Sequence, residues 1–72
     1  MKKLYLVSNR LKKIEGLDTL VNLQILDLGD NRIRTIENLD SLVNLTEFYC
    51  AKNKLTKIEG VGSLRNLYLL AL

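Results

Sequence analysis

The chain has 72 residues, 47% of them hydrophobic and only 6% aromatic, which allows one domain with an aliphatic core and leaves no room for a second. Its 11 Lys and Arg against 8 Asp and Glu give a net charge of +3. No basic run exceeds two residues, so the charge reads as a solvated surface with no nucleic-acid partner. The absence of histidine removes the commonest general base and neutral-pH metal ligand, and the expectation is a non-enzymatic chain without cofactor or metal.

After Met1-Lys2-Lys3 no apolar segment of signal length follows, and nowhere do 18 apolar residues run together, so no membrane span is expected and the chain reads as soluble and intracellular. The first predicted element is a short strand, Leu4-Tyr5-Leu6-Val7, and Asn9 follows it. Asparagine then recurs at a 22-residue interval as Asn31 and Asn53, and around each the same phrase returns: LYLVSNRLKKIEGL from Leu4, LDLGDNRIRTIENL from Leu26, FYCAKNKLTKIEGV from Phe48. A period of 22 with this pattern is that of leucine-rich repeats. The repeats run about 4–25, 26–47 and 48–69, with a partial fourth at 70–72, in one domain over 1–72. The expected fold is an α/β solenoid of about three repeats with a parallel concave β-sheet.

Within each repeat, Leu-x-Leu at 4 and 6, 26 and 28, and 70 and 72, with Phe48 and Cys50 between, alternates in and out as a strand with one buried face does. The chain then turns away from the sheet, which leaves backbone groups without ladder partners. The asparagine amide, able to donate and accept together, is placed to satisfy them. Leu11, Ile33, Leu55 and Ile14, Ile36, Ile58 continue the core around the bend. Beyond them the spacing of three in Leu17-Leu20-Leu23, Leu39-Leu42-Leu45 and Val61-Leu64-Leu67 predicts short helices or 3₁₀ turns on the convex side. Asp18, Asp40, Thr19, Ser41 and Ser63 stand where they could cap such helices.

Three constellations invite a chemical reading. Cys50 is the single cysteine, which suits a reducing compartment, and it occupies an inward column shared with Leu6, Leu28 and Leu72. It therefore reads as core and not as a nucleophile. Glu15, Glu37 and Glu59 form a carboxylate column, but an evenly spaced line does not make the converging oxygens of a cation site. Lys12, Lys13, Arg34 and Lys57, with the column Arg10, Arg32, Lys54, are expected to neutralise it. Asn44-Leu45-Thr46 matches a glycosylation acceptor, yet Asn44 repeats Asn22 and Asn66 and reads as structural.

The outward strand column is different, because there the repeat stops dictating residue type: it reads Tyr5, Asp27, Tyr49, Ala71, flanked by Ile25 and Glu47. Two aromatics beside an acid on an open sheet make a candidate protein-binding face. LYLV at 4–7, LGDNRIR at 28–34, IENL at 36–39 and LTKIEG at 55–60 resemble the leucine-rich-repeat regulatory subunit of protein phosphatase 1, a nuclear and cytoplasmic family of 22-residue repeats. That resemblance implies a regulator whose concave face grips the phosphatase catalytic subunit with an aromatic, an acid and an aromatic, here Tyr5, Asp27 and Tyr49. The family's array is longer and capped. The chain is therefore expected to be a fragment or short relative, with Leu4, Leu6, Leu11 and Ile14 uncovered at one end and Leu64, Leu67, Leu70 and Leu72 at the other. Self-association through those ends is expected, and a structural or self-associating repeat fragment with no specific partner is the alternative reading.

Overall fold

A computed structural model describes residues 1–72. Four three-residue strands, β1 (Lys3–Tyr5), β2 (Ile25–Asp27), β4 (Glu47–Tyr49) and β6 (Leu69–Ala71), form one parallel sheet in the order β1-β2-β4-β6. Their register steps by one repeat at each strand: Leu4 pairs with Leu26, Leu26 with Phe48 and Phe48 with Leu70. Parallel neighbours need a long crossover, and here the rest of each 22-residue turn supplies it.

The crossovers hold a second, smaller parallel sheet that periodicity does not signal, β3 (Thr35–Ile36) beside β5 (Lys57–Ile58). It is extended along the chain by Arg32 N–H donating to Leu11 O at 2.8 Å and Lys54 N–H to Ile33 O at 2.9 Å. On the convex side no helix forms. The leucines spaced by three instead bracket successive tight turns, closed by Leu20 N–H to Leu17 O, Leu23 N–H to Leu20 O, Leu42 N–H to Leu39 O and Leu45 N–H to Leu42 O, each at 3.0 Å. Of the two alternatives expected for this side, turns are used. Asp18, Asp40, Thr19, Ser41 and Ser63 have no helix to cap. No segment is long and apolar enough to be a membrane-crossing helix.

The core is a single cluster centred on the middle repeat, where Leu26, Ile33, Ile36, Leu39, Leu42 and Leu45 are inaccessible to solvent. Stacking explains the centring, because a turn with a neighbour on each side buries both flanks. Phe48 and Cys50 are also fully buried, so the larger ring and the smaller thiol together fill the space that two leucines occupy in the repeat before. Two residues expected to lie uncovered do not. Ile14 is 3% exposed, sealed among Leu17, Ile33 and the rest of the cluster, and Leu64 is 5% exposed. Leu4, Leu6, Leu11 and Leu67 are partly buried against the same core. Toward the C-terminal end of the array Ile58, Leu70 and Leu72 are each close to half exposed, and toward the N-terminal end Met1, Val7 and Val21 are exposed as well.

The asparagine ladder holds the turns together. Asn31 is buried, and its amide donates to Leu6 O, Leu28 O and Gly29 O at 2.9–3.1 Å while its oxygen accepts Leu11 N–H at 3.1 Å. Asn53 repeats the pattern one turn on, donating to Leu28 O and Cys50 O and accepting Ile33 N–H. Asn9, in the first turn, donates to Leu6 O and Val7 O. A second ladder runs along the convex edge, where Asn44 donates to Val21 O and Asn66 to Val43 O. The glycosylation-like Asn44-Leu45-Thr46 is part of that scaffold, since the Thr46 hydroxyl also donates to Gln24 O.

Candidate protein-binding face

Tyr5, Asp27, Tyr49 and Ala71 are direct neighbours across the four strands, and Lys3, Ile25, Glu47 and Leu69 form the parallel row beside them. All point away from the core because the inward positions between them hold Leu4, Leu26, Phe48 and Leu70. The five sequence-predicted residues, Tyr5, Asp27, Tyr49, Ile25 and Glu47, therefore lie on one surface. Tyr5 is 58% exposed, and the other four are half-buried.

Local bonds fix two of these groups. Asp27 uses Oδ1 to accept Gly29 N–H at 2.9 Å, which turns its carboxylate toward the end of the strand and leaves Oδ2 without a hydrogen bond inside the chain. Gly29 is suited to this position, because a Cβ there would stand 3.1 Å from that same Asp27 oxygen. Tyr49 donates its hydroxyl to Glu47 Oε1 at 2.6 Å, and Tyr68 donates to Glu47 Oε2 at 3.2 Å. The Glu47 carboxylate is thus clasped between two phenols. Donating to a carboxylate, with partial desolvation and the Glu47 charge acting in the same direction, pushes the Tyr49 hydroxyl up to about 12.

Tyr68, 74% exposed, was not among the residues that strand alternation selects. It lies just before β6, in a column whose earlier members are Gln24 and Thr46. The signal that could have found it is the loss of the short polar residue at that repeat position.

The other constellations do not assemble into chemistry. Cys50 is a free thiol in the core, and burial first, then the Asp27 charge, push it up to about 11, so it stays protonated and unreactive at neutral pH. No three carboxylate, cysteine or histidine groups come close enough to hold a metal ion. The glutamate column is neutralised at one place only, by Lys57 Nζ 3.3 Å from Glu59 Oε2. The remaining bases expected to pair with it do not.

Residues 1–41 match the family of Leucine Rich repeats in two copies. The chain belongs to the leucine-rich repeat family. Comparison with curated proteins finds no match. Leucine-rich repeats are protein-interaction modules and are generally non-enzymatic. The matched residues cover the first turn and most of the second, and the unbroken strand register carries the same architecture through β6.

Proposed function

We propose that this leucine-rich repeat chain is a regulatory module that occupies a protein surface through its concave face, with the protein phosphatase 1 catalytic subunit as the partner. The observation that carries the reading is the row Tyr5-Asp27-Tyr49, two aromatics flanking an acid, set side by side and pointing outward on an otherwise repetitive lattice. Tyr5 offers an exposed ring, Tyr49 a ring held in place by Glu47, and Asp27 a carboxylate oxygen without a hydrogen bond inside the chain. Against a partner's basic group and apolar rim, each such anchor contributes about 1–3 kcal/mol once desolvated. Ile25 and Glu47 border the row. This reading puts the chain in the nucleus or cytoplasm, where a lone buried thiol such as Cys50 stays reduced.

The test is a titration of the phosphatase catalytic subunit by calorimetry, comparing the native chain with Tyr5→Ala, Asp27→Ala and Tyr49→Ala. Binding that weakens by about tenfold or more for each substitution supports the face, and binding indifferent to all three refutes it. A second reading, self-association, is favoured by one observation. Leu70 and Leu72 expose apolar surface at the unpaired edge of β6, and Ile58 does so at the unpaired edge of β5. Sedimentation equilibrium at high micromolar concentration separates the two, because a monomer without the phosphatase removes the second reading and leaves the first intact.

A further inference from the structure

A feature of the loop side is independent of the concave face. Lys12, Arg32, Arg34 and Lys54 are far apart in sequence, yet they line one open cavity of about 460 Å³ that no apolar residue enters. The stacking that builds the core builds this cluster too. Arg32 N–H bonds to Leu11 O and Lys54 N–H to Ile33 O, so residue 32 lies beside residues 10–12, and residue 54 beside residues 32–34. Inward Leu11, Ile33 and Leu55 alternate with these bases, which sends the cationic groups outward together.

None of the four cations has a carboxylate within salt-bridge distance, since the chain's single ion pair joins Lys57 to Glu59. Four positive charges held around one space without a counter-ion repel each other and favour an anion that offers several oxygens at once. Two of the four are arginines, whose planar forks suit tetrahedral oxyanions, and two are lysines, which act as point charges. The backbone N–H groups of Arg32 and Lys54 are already committed to the small sheet. Arg32 and Lys54 would therefore contribute to holding the ligand through their side chains.

We propose that this cavity binds a compact polyphosphate group of about four negative charges. The lining decides between the two sources of such a group. It has no aromatic or aliphatic wall, so a nucleobase would find nothing to stack upon, and recognition would fall on the phosphates alone.

The experiment is a calorimetric titration of the full chain with inorganic triphosphate and, in parallel, ATP without metal, at low and at physiological salt. Arg34→Gln and Lys12→Gln are compared with Arg65→Gln, which removes the same charge from an exposed convex turn. Expected are saturable 1:1 binding of triphosphate, ATP no tighter than triphosphate, and about tenfold weakening by each cavity substitution but not by Arg65→Gln. Equal weakening by all three variants would reduce the effect to net charge and overturn the site. ATP binding much tighter than triphosphate, or a single-stranded oligonucleotide outcompeting triphosphate, would also overturn it, in favour of base recognition or an extended nucleic-acid track. A Tyr5→Ala chain should bind triphosphate unchanged, which keeps this result separate from the fate of the concave face. Far-UV circular dichroism of each variant confirms that the comparison is between folded chains.

Discussion

Replacing Asn31 with alanine tests how the array is held together. Three carbonyls lose a donor, but each retains another: Leu6 O keeps Asn9, Leu28 O keeps Asn53, and Gly29 O keeps Ser8 N–H. Leu11 N–H is the group left with nothing, since the Asn31 oxygen was its acceptor. One orphaned, partly buried N–H costs about 1–3 kcal/mol, and each lost second bond to a still-satisfied carbonyl about 0.5 kcal/mol, so the total is about 3 kcal/mol. For a domain of this size, whose whole stability is about 4–11 kcal/mol, that lowers the melting midpoint by about 10 °C or more. Asn9→Ala is the comparison, because it removes two exposed bonds from the same ladder and should cost below about 1 kcal/mol. Urea unfolding followed by far-UV circular dichroism gives both values. Equal midpoints for the two variants would refute the reasoning. So would an unperturbed Asn31→Asp, which keeps the acceptor for Leu11 N–H but sets a carboxylate against three carbonyls.

Gly60→Ala should destabilise by about 1–3 kcal/mol, since its backbone is left-handed (φ +68°) and a Cβ there would approach Asp40 Oδ1 to 2.7 Å; Gly62→Ala, with open space around it, should be near neutral in the same urea series. Lys52 is a left-handed non-glycine residue (φ 59°), and Lys52→Gly should raise stability by about 0.5 kcal/mol, the relief of αL strain less the entropy that glycine adds to the unfolded chain. Tyr49 has its folded-state value raised from 10 to about 12, so its contribution to stability is complete below pH 10 and is lost as pH rises through 12. Tyrosinate absorbance should show one phenol ionising near 12 that moves down in Glu47→Gln, and no change in that variant would contradict the clasp.

Much of the architecture was legible because two periods coincide. Leu-x-Leu at period two marks strand faces, and the 22-residue recurrence of asparagine marks which strands become neighbours, so Tyr5, Asp27 and Tyr49 could be set in one row before any coordinates. The parts that were not legible depend on interactions with no single-repeat signature. The β3–β5 pair consists of two-residue strands whose only reason to be extended is the adjacent turn. The left-handed corner at Ser8, Asp30 and Lys52 carries three different side chains and no glycine, so nothing in residue type announces it. The companion corner at Gly16, Asn38 and Gly60 does carry the expected residues, and Asn38 adds a bond from its amide to Ile14 O at 2.6 Å. Spacing by three marks apolar positions, but does not distinguish a helix from turns closed at every third residue.

The charge pattern shows what stacking does to a sequence-level average. Spread along 72 residues, the bases look like ordinary solvated side chains, and most pairs of them are many residues apart. Parallel stacking converts a separation of 22 residues into one strand spacing of about 4.8 Å, well inside a Debye length of about 10 Å at 0.1 M salt. Whatever a repeat column contains is therefore concentrated into a line. A column of leucine becomes core, a column of asparagine becomes a hydrogen-bonded ladder, and adjacent columns of Arg and Lys become a cavity lined by four cations. The exposed strand column follows the opposite logic, because its members differ: Tyr5, Asp27 and Tyr49 present an aromatic-acid-aromatic sequence across the sheet. Repetition gives the cationic cavity its charge density, and the break in repetition gives the proposed binding face its chemical variety, so the two surfaces should respond independently to substitution and to salt.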